Sequence, residues 1–479
     1  MKASFSVLDW AWIPVVSLDG EEKLLGIRQA LEHAHELREI STVSPLEEYS
    51  IYRFLGLFLM DALRPETESD IEDLLDEGRF DMDQVEAYIA LCKSEGVSFD
   101  LFDEKRPFLQ SALDSRYDKE IKPVSALDCT LPSGNNHTHF EHSRSVPNTL
   151  TADAAFRLVL TTYLFCTAAA QGYPSGVNAA PPFFGVIKGS NLFETLTYNL
   201  LQTDTIGLAL DTPPVMWRFT EPIIPKQEIG KTSWMHGMLF PTRRIHLVSD
   251  ENGMVTGVYL CQGENFVNKE SWRDPYVTYR KNKETVFPMR PSAERALWRN
   301  FCDIINIPGN QASQLLRQYR SLKDEGMAEL TLYGVETSQA SYLGIYRQSL
   351  SIPLALMDHE DSIELIRLSI TATENLSKAL GKALSAVEVI SDTASRLAVR
   401  QFYQECEARF WSLIDTVSEQ LPVKEVYISY CDDICNYAIR AFSEILKCVN
   451  LRGPALAAAE RQRGNLIKSI NKIKKEARL

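Results

Sequence analysis

The sequence predicts an α+β protein: a large mixed α/β N-terminal domain over residues 1–345, then a C-terminal four-helix bundle over 346–479. Three observations predict it. Short strand-like runs, helices and loops alternate through the first 340 residues, whereas the remainder holds four long helical patterns with few prolines. Those patterns, roughly 357–391, 393–421, 424–451 and 454–477, place apolar residues at steps of three and four, the stripe a helix buries. The connectors, such as "LPVK" and "NLRGP", are short, which suits antiparallel neighbours.

In chain order, "MKASFSVLDWAWIPV" has no long apolar run and no small-residue cleavage site, so a signal peptide is not expected. "YSIYRFLGLFLMDAL" (49–63) is strongly apolar on helical spacing and reads as a core helix. "DMDQVEAYIALCKSEG" starts on acids and stops at Gly96; "DAAFRLVLTTYLFCTAAAQG" (153–172) reads as a helix ended by Gly172; "NLFETLTYNLLQT" (191–203) repeats the pattern. "RRIHLVSD" and "GVYLCQ" flank "ENG", a hairpin signal. In the bundle, Phe402, Cys406, Phe410, Leu413 and Val417 draw one stripe, and Val426, Tyr430, Ile434 and Ile439 a second.

A chain of 479 residues exceeds one compact core. An apolar share of 45% and a charged share of 24% are ordinary for a globular protein. A formal charge of -14 opposes indiscriminate coating of nucleic acid, yet screening over about 8–10 Å lets a local basic patch act. The nine cysteines are scattered and form no CxxC pair, which fits reduced thiols in the cytoplasm. No apolar run reaches the ~18–20 residues of a membrane span.

"PSGNNHTHFEH" (132–142) holds His137, His139 and His142, which resemble metal ligands. Its proline, serine, glycine and asparagine frame is that of a polar loop, and neither HExxH nor a paired-aspartate motif accompanies it. "QGYPSGVNAAPP" (171–182) sets two glycines around Tyr-Pro-Ser, where a backbone can approach a ligand; the plainer reading is a helix stop and a turn. "YGVETSQASYLG" (333–344) reads as a capped turn leading into a helix, with Gln339 as a long uncharged side chain at its tip. Basic residues gather at Arg243 and Arg244, at Arg280, Lys281 and Lys283, and in the last segment, where Arg461, Lys468, Lys472 and Lys475 share one helical side able to track phosphates. A metal-dependent hydrolase on the three histidines and a plain helical scaffold both stay open beside a nucleic-acid-binding protein.

Several stretches in order resemble the CasA family, the large subunit of the type I-E CRISPR surveillance complex Cascade. "FSVLDWAWIPV" resembles the family's N-terminal Phe-Asn-Leu-Leu-Asp…Trp-Ile-Pro-Val signature. "KRPFLQ" (105–110) is similar to its Pro-Phe-Leu/Met-Gln segment and precedes "LPSGNNHTHFEH"; "NLFETLTYNLL", "LFPTRRIHL" and the helical C-terminus follow. The resemblance implies a non-enzymatic subunit; no cofactor and no metal are expected. Such a subunit recognises the protospacer-adjacent motif of double-stranded target DNA from the minor groove, starts duplex opening, helps recruit the helicase-nuclease and serves antiviral defence. It also implies contacts with the guide RNA 5′ handle region and with other Cascade subunits.

By the same resemblance, residues 130–143 are the family's mobile loop, with Phe140 its aromatic anchor beside Asn135, Asn136, His137 and His139. Gly172, Tyr173, Pro174, Ser175 and Gly176 stand in the motif-approaching glycine loop, and Gln339 is the wedge with Ser338 its polar neighbour. Lys269 is the first candidate for the motif-reading lysine and Lys281 the second. Arg280, Lys281, Lys468, Lys472 and Lys475 are candidate phosphate contacts. Some relatives carry a four-cysteine cluster in mid-chain; only Cys261 stands there, so a structural zinc is not expected.

Overall fold

The computed structural model describes residues 4–117, 120–131, 148–167, 173–205, 209–282, 285–309, 311–338, 341–418 and 423–478. Strands and helices are mixed in one compact unit, Met1–Arg295 with Ala312–Ile352, and helices dominate the other, Ala296–Gln311 with Pro353–Leu479. The fold class is α+β.

The first unit opens with an antiparallel sheet in which β1 (Ile13–Ser17) lies between β2 (Glu22–Leu25) and β3 (Leu37–Ile40). Helix α1 (Pro45–Leu63) follows, with proline in its first turn and Arg64 closing it in the left-handed region at φ 47°. Every residue from Leu46 to Asp61 except Glu47 is buried, as an apolar-all-round helix requires. Its buried charges must then find partners. Asp61 accepts from Tyr88 Oη at 2.7 Å and pairs with Arg64 and Arg218; Arg53 pairs with Asp274, and Glu48 gathers three donors described below.

Helix α2 (Met82–Ser94) is capped by Asp81, whose carboxylate accepts from the Asp83 amide at 2.9 Å, and Gly96 turns the chain at φ 82°. Helix α3 (Ala152–Phe165) is shorter than its apolar pattern predicts. Strand β4 (Phe184–Ile187) is followed by α4 (Leu192–Tyr198), capped by Asn191 on the Glu194 amide. The hairpin signalled by "ENG" forms between β5 (Arg243–Ser249) and β6 (Val255–Gln262), with Gly253 at φ 81°. Strands β7 (Met327–Ser338) and β8 (Ser341–Pro353) complete a second sheet in the order β8-β7-β4.

Gly263, just past β6, has no room for a side chain. A Cβ there would lie 2.1 Å from the Pro241 carbonyl oxygen and 2.6 Å from the Arg243 amide nitrogen, both fixed backbone. Gly263→Ala is expected to cost about 1–3 kcal/mol, read as a lower urea midpoint, and to displace the start of β5.

In the second unit, α5 (Glu360–Ser385), α6 (Asp392–Ser418), α7 (Val423–Lys447) and α8 (Pro454–Arg478) form the bundle; α5 and α7 each touch the other three helices. The α6 stripe of Phe402, Cys406, Phe410, Leu413 and Val417 is wholly buried. On α7 the buried line runs through Tyr430, Cys431, Ile434, Cys435 and Ala438, with Val426 and Ile439 only half-buried. Segment 296–311 joins this unit because Trp298 packs on Phe410 at 5.0 Å and Phe301 on Trp411 at 5.4 Å. The nine cysteines are free thiols. No helix among the described residues is long and apolar enough to cross a membrane.

Candidate nucleic-acid interface

The expected helix over 153–172 ends at Phe165: Cys166 already has extended dihedrals (φ −63°, ψ 134°). Arg243, 3% exposed, supplies the reason. Its Nη2 donates to the Thr167 carbonyl at 2.7 Å and its Nη1 to the Pro174 carbonyl at 2.8 Å, while its guanidinium lies 4.5 Å from the Tyr173 ring centroid. A cation that binds main-chain carbonyls on both sides of a segment competes with continued helix hydrogen bonding. The basic residues Arg243 and Arg244 are both buried, and Arg243 braces this turn.

The rest of the turn is held in the same way. The Tyr173 hydroxyl donates to the Leu260 carbonyl at 3.2 Å and lies 3.1 Å from Lys122 Nζ. Lys269 Nζ donates to the Gly176 carbonyl at 2.7 Å and the Ser175 carbonyl at 3.4 Å. The Ala179 amide closes the turn onto Gly176 at 2.9 Å, with Ala179 at φ 61°. The carbonyls of Pro174, Ser175 and Gly176 are turned onto two cations, Arg243 and Lys269, which fixes the backbone of the turn. Burial lowers the Lys269 ammonium to about 8. Gly172 lies outside the described residues.

The segment that ends in Ser338 reaches the same end of the sheet. Strand β4 pairs antiparallel with β7, Phe184 opposite Tyr333 and Ile187 opposite Leu330. Walking back from Phe184 toward Gly176 and forward from Tyr333 toward Ser338 therefore leads in one direction. Contacts along that path agree. Phe183 meets Tyr346 at 6.1 Å, and a Cβ on Gly334 would touch Pro291 and Phe183. The Glu336 carboxylate accepts from Tyr346 Oη at 2.7 Å and from the Ala293 amide at 2.9 Å. Tyr342 donates to the Phe165 carbonyl at 2.8 Å, fastening β8 to the end of α3.

Residues 333–344 do not cap a helix, contrary to the sequence expectation. Their described parts, 333–338 and 341–344, belong to β7 and β8, which lie in one sheet with β4. Ser338 is exposed; Gln339 lies outside the described residues and falls in sequence between the two strands.

Two buried acids support this end of the unit. Asp274, 1% exposed, pairs with Arg53 and lies 3.4 Å from Asn178 Nδ2, so it ties the turn to α1. The Arg53 guanidinium rests 4.8 Å from the Tyr276 ring centroid and 5.3 Å from Phe184. Glu48 accepts from Tyr333 Oη at 2.6 Å, Arg347 Nε at 2.9 Å and Lys188 Nζ at 3.3 Å, one donor each from β7, β8 and the residue after β4. Neither acid was singled out from the sequence; the signal available was a charge inside an otherwise apolar helix, Glu48 and Arg53 in 45–63.

The other candidates are dispersed. Arg280 is half-buried with its guanidinium 5.9 Å from the Phe287 ring centroid, and Lys281 is exposed on the same strand. Lys468, Lys472 and Lys475 are exposed on α8 in the second unit, Lys472 lying 3.7 Å from Glu476, while Lys474 pairs with Asp432 at 2.8 Å. Asn135, Asn136, His137, His139, Phe140, His142 and Lys283 lie outside the described residues. Among the described residues no group of three or more His, Cys, Asp or Glu side chains converges as a metal site would.

Together these features define a class: an α+β chain with an antiparallel helical bundle at its C-terminal end and a cation-braced turn at one end of its three-stranded sheet. More particularly, the family model of the CRISPR-associated protein Cse1 matches residues 7–441, and the chain belongs to that family. It is 29% identical over 416 residues to the CRISPR-associated protein CasA/Cse1 of Thermus thermophilus, an alignment covering 82% of this chain and 78% of that one. The crystal structure of Cse1 from Acidimicrobium ferrooxidans superposes with a TM-score of 0.79 at 18% identity, covering 100% of both chains. A chain in a solved CRISPR RNA-guided surveillance complex gives 0.79 at 21% identity over 97% of this chain and 99% of that one. At those identities the superpositions speak for the fold.

Proposed function

We propose that this chain is the non-catalytic subunit of a CRISPR RNA-guided surveillance complex that recognises the motif flanking the target in double-stranded DNA, from the minor groove, and starts opening the duplex there. Membership of the Cse1 family and the likeness to a chain of such a complex support the assembly. The observation that carries the site is the turn at Tyr173–Gly176, whose carbonyls are drawn onto Arg243 and Lys269. Backbone amides of such a turn are donors, and the minor-groove edge of an A·T pair offers acceptors at adenine N3 and thymine O2. Donors alone discriminate coarsely, which suits a sensor that accepts several related motifs.

Lys269 thus acts first as a brace of the turn and presents its remaining charge beside the groove. Gln339, following exposed Ser338, is the wedge at the adjoining step; unstacking costs a few kcal/mol, offset by guide pairing as the strand is displaced. The guide RNA 5′ handle region, the other subunits of the complex and the helicase-nuclease are the remaining partners. The family resemblance assigns the stretch 130–143 to the first two, and the α8 lysines are the candidate phosphate contacts.

Gln339→Ala tests the wedge. In the reconstituted complex the variant should bind motif-bearing duplex within about twofold of wild type. It should open the first target base pairs at least ~10-fold more slowly, by fluorescence of a base analogue placed there, which corresponds to about 1.4 kcal/mol of barrier. Unchanged opening with motif dependence intact would remove the wedge from the account.

A further inference from the structure

The first unit contains a second concave site, lined by "KRPFLQSA" (105–112), Asp114, Arg116, Met216, Trp217, the stretch 219–223 and Arg244. Its volume is about 270 Å³. Four cations line it, Lys105, Arg106, Arg116 and Arg244, against two carboxylates, Asp114 and Glu221. On a chain with a formal charge of -14, such a local excess of positive charge inside a concavity is the reverse of the average surface.

The pairing within the site leaves that excess unspent. Asp114 serves both arginines beside it, Arg116 at 2.6 Å and Arg244 at 2.7 Å, and their guanidinium groups hold its carboxyl down to about 2. Arg106 binds only main-chain carbonyls, of Glu95, Trp217 and Phe219 at 3.0–3.2 Å, and forms no ion pair among the described residues. Burial lowers its pKa, the mark of a cation without full compensation. Arg244 is 1% exposed, stacks on Tyr117 at 4.1 Å, and its Nε and Nη1 have no hydrogen-bond partner among the described residues. Buried guanidinium N–H groups without acceptors are costly, and a planar fork of this kind matches the oxygens of a phosphate.

We propose that this pocket is an anion site for a phosphate group, held by Arg244 at its floor with Arg106, and by Lys105 and Arg116 at its mouth. Lys105 is exposed and Arg116 is 37% exposed, so the mouth is open to an incoming oxyanion. The group is either a free or terminal phosphate or the backbone phosphodiester of a nucleic acid; the chemistry is the same. The site is independent of the reading given above for the turn.

The test uses the full chain at fixed ionic strength and titrates inorganic phosphate, then a short 5′-hydroxyl single-stranded oligonucleotide, by calorimetry. Saturable binding is expected, weakened about 10-fold by Lys105→Ala and by Arg116→Gln, each removing one charged donor. Both residues sit at the mouth, and the variants should unfold at the wild-type urea midpoint. Lys468→Ala with Lys472→Ala should leave binding as it was. Phosphate binding without oligonucleotide competition assigns a free or terminal phosphate; mutual competition assigns the nucleic-acid backbone. Absence of saturable binding by either probe would overturn the proposal. So would wild-type affinity in the Lys105/Arg116 double variant, or an equal loss in the α8 pair.

Discussion

Asp274→Ala is expected to lower the stability of the chain by about 3–5 kcal/mol, the largest effect expected of any single substitution named for this chain. The alanine leaves Arg53, 4% exposed inside α1, without its counter-ion and removes the carboxylate beside Asn178. A buried cation cannot recover solvation by moving, because Tyr49, Phe184 and Tyr276 enclose it. The double variant Asp274→Leu, Arg53→Met should recover most of the loss, since apolar side chains of similar volume replace an ion pair with little net penalty. Urea unfolding followed by tryptophan fluorescence compares the three. A single variant as stable as wild type would show that the pair lies in a wetter setting than its burial indicates.

Lys269→Met should weaken motif-specific binding by the assembled complex about 10- to 100-fold, the loss of one charge-assisted contact set, while binding to duplex without the motif changes little. The methionine fills similar space but frees the carbonyls of Ser175 and Gly176, so the turn loses one of its two braces. The pH dependence gives a second signature. The folded pKa of Lys269 is brought down to about 8 by burial, below its ordinary 10.5. Between those values the unfolded chain binds more protons, so this residue's contribution to stability rises with pH there. Its charge, and with it motif affinity, falls as pH climbs through 8. Opposite trends in stability and affinity are expected from wild type, and a flat affinity profile from Lys269→Met; parallel trends would point to a purely structural lysine.

The helices and the "ENG" hairpin were legible because periodicity reports burial directly, and their burial is local in sequence. The α6 stripe is the clearest instance. Two features of the site were not. Nothing in "CTAAAQ" (166–171) marks a helix end before Gly172, yet α3 stops at Phe165, and Arg243, dozens of residues later, binds Thr167 and Pro174. The β7–β8 pair was hidden by "GVETSQAS", whose glycine and hydroxyl residues resemble a capped turn, although Leu332, Val335, Ile345 and Ile352 already favour strand. Lys269 was legible only through the family resemblance. Its partners on the turn, and those of the buried acids Glu48 and Asp274, depend on tertiary pairing that no local pattern encodes.

The most direct measurement places a photo-crosslinking phenylalanine at Ser175, and separately at Ser338, in the reconstituted complex bound to a duplex carrying a permissive motif. If the end of β7 and the braced turn form one grip on DNA, both positions should crosslink within the motif or its first adjoining base pair. Crosslinks from Ser338 that map only to protein, or to DNA a helical turn or more away from those of Ser175, would contradict the account.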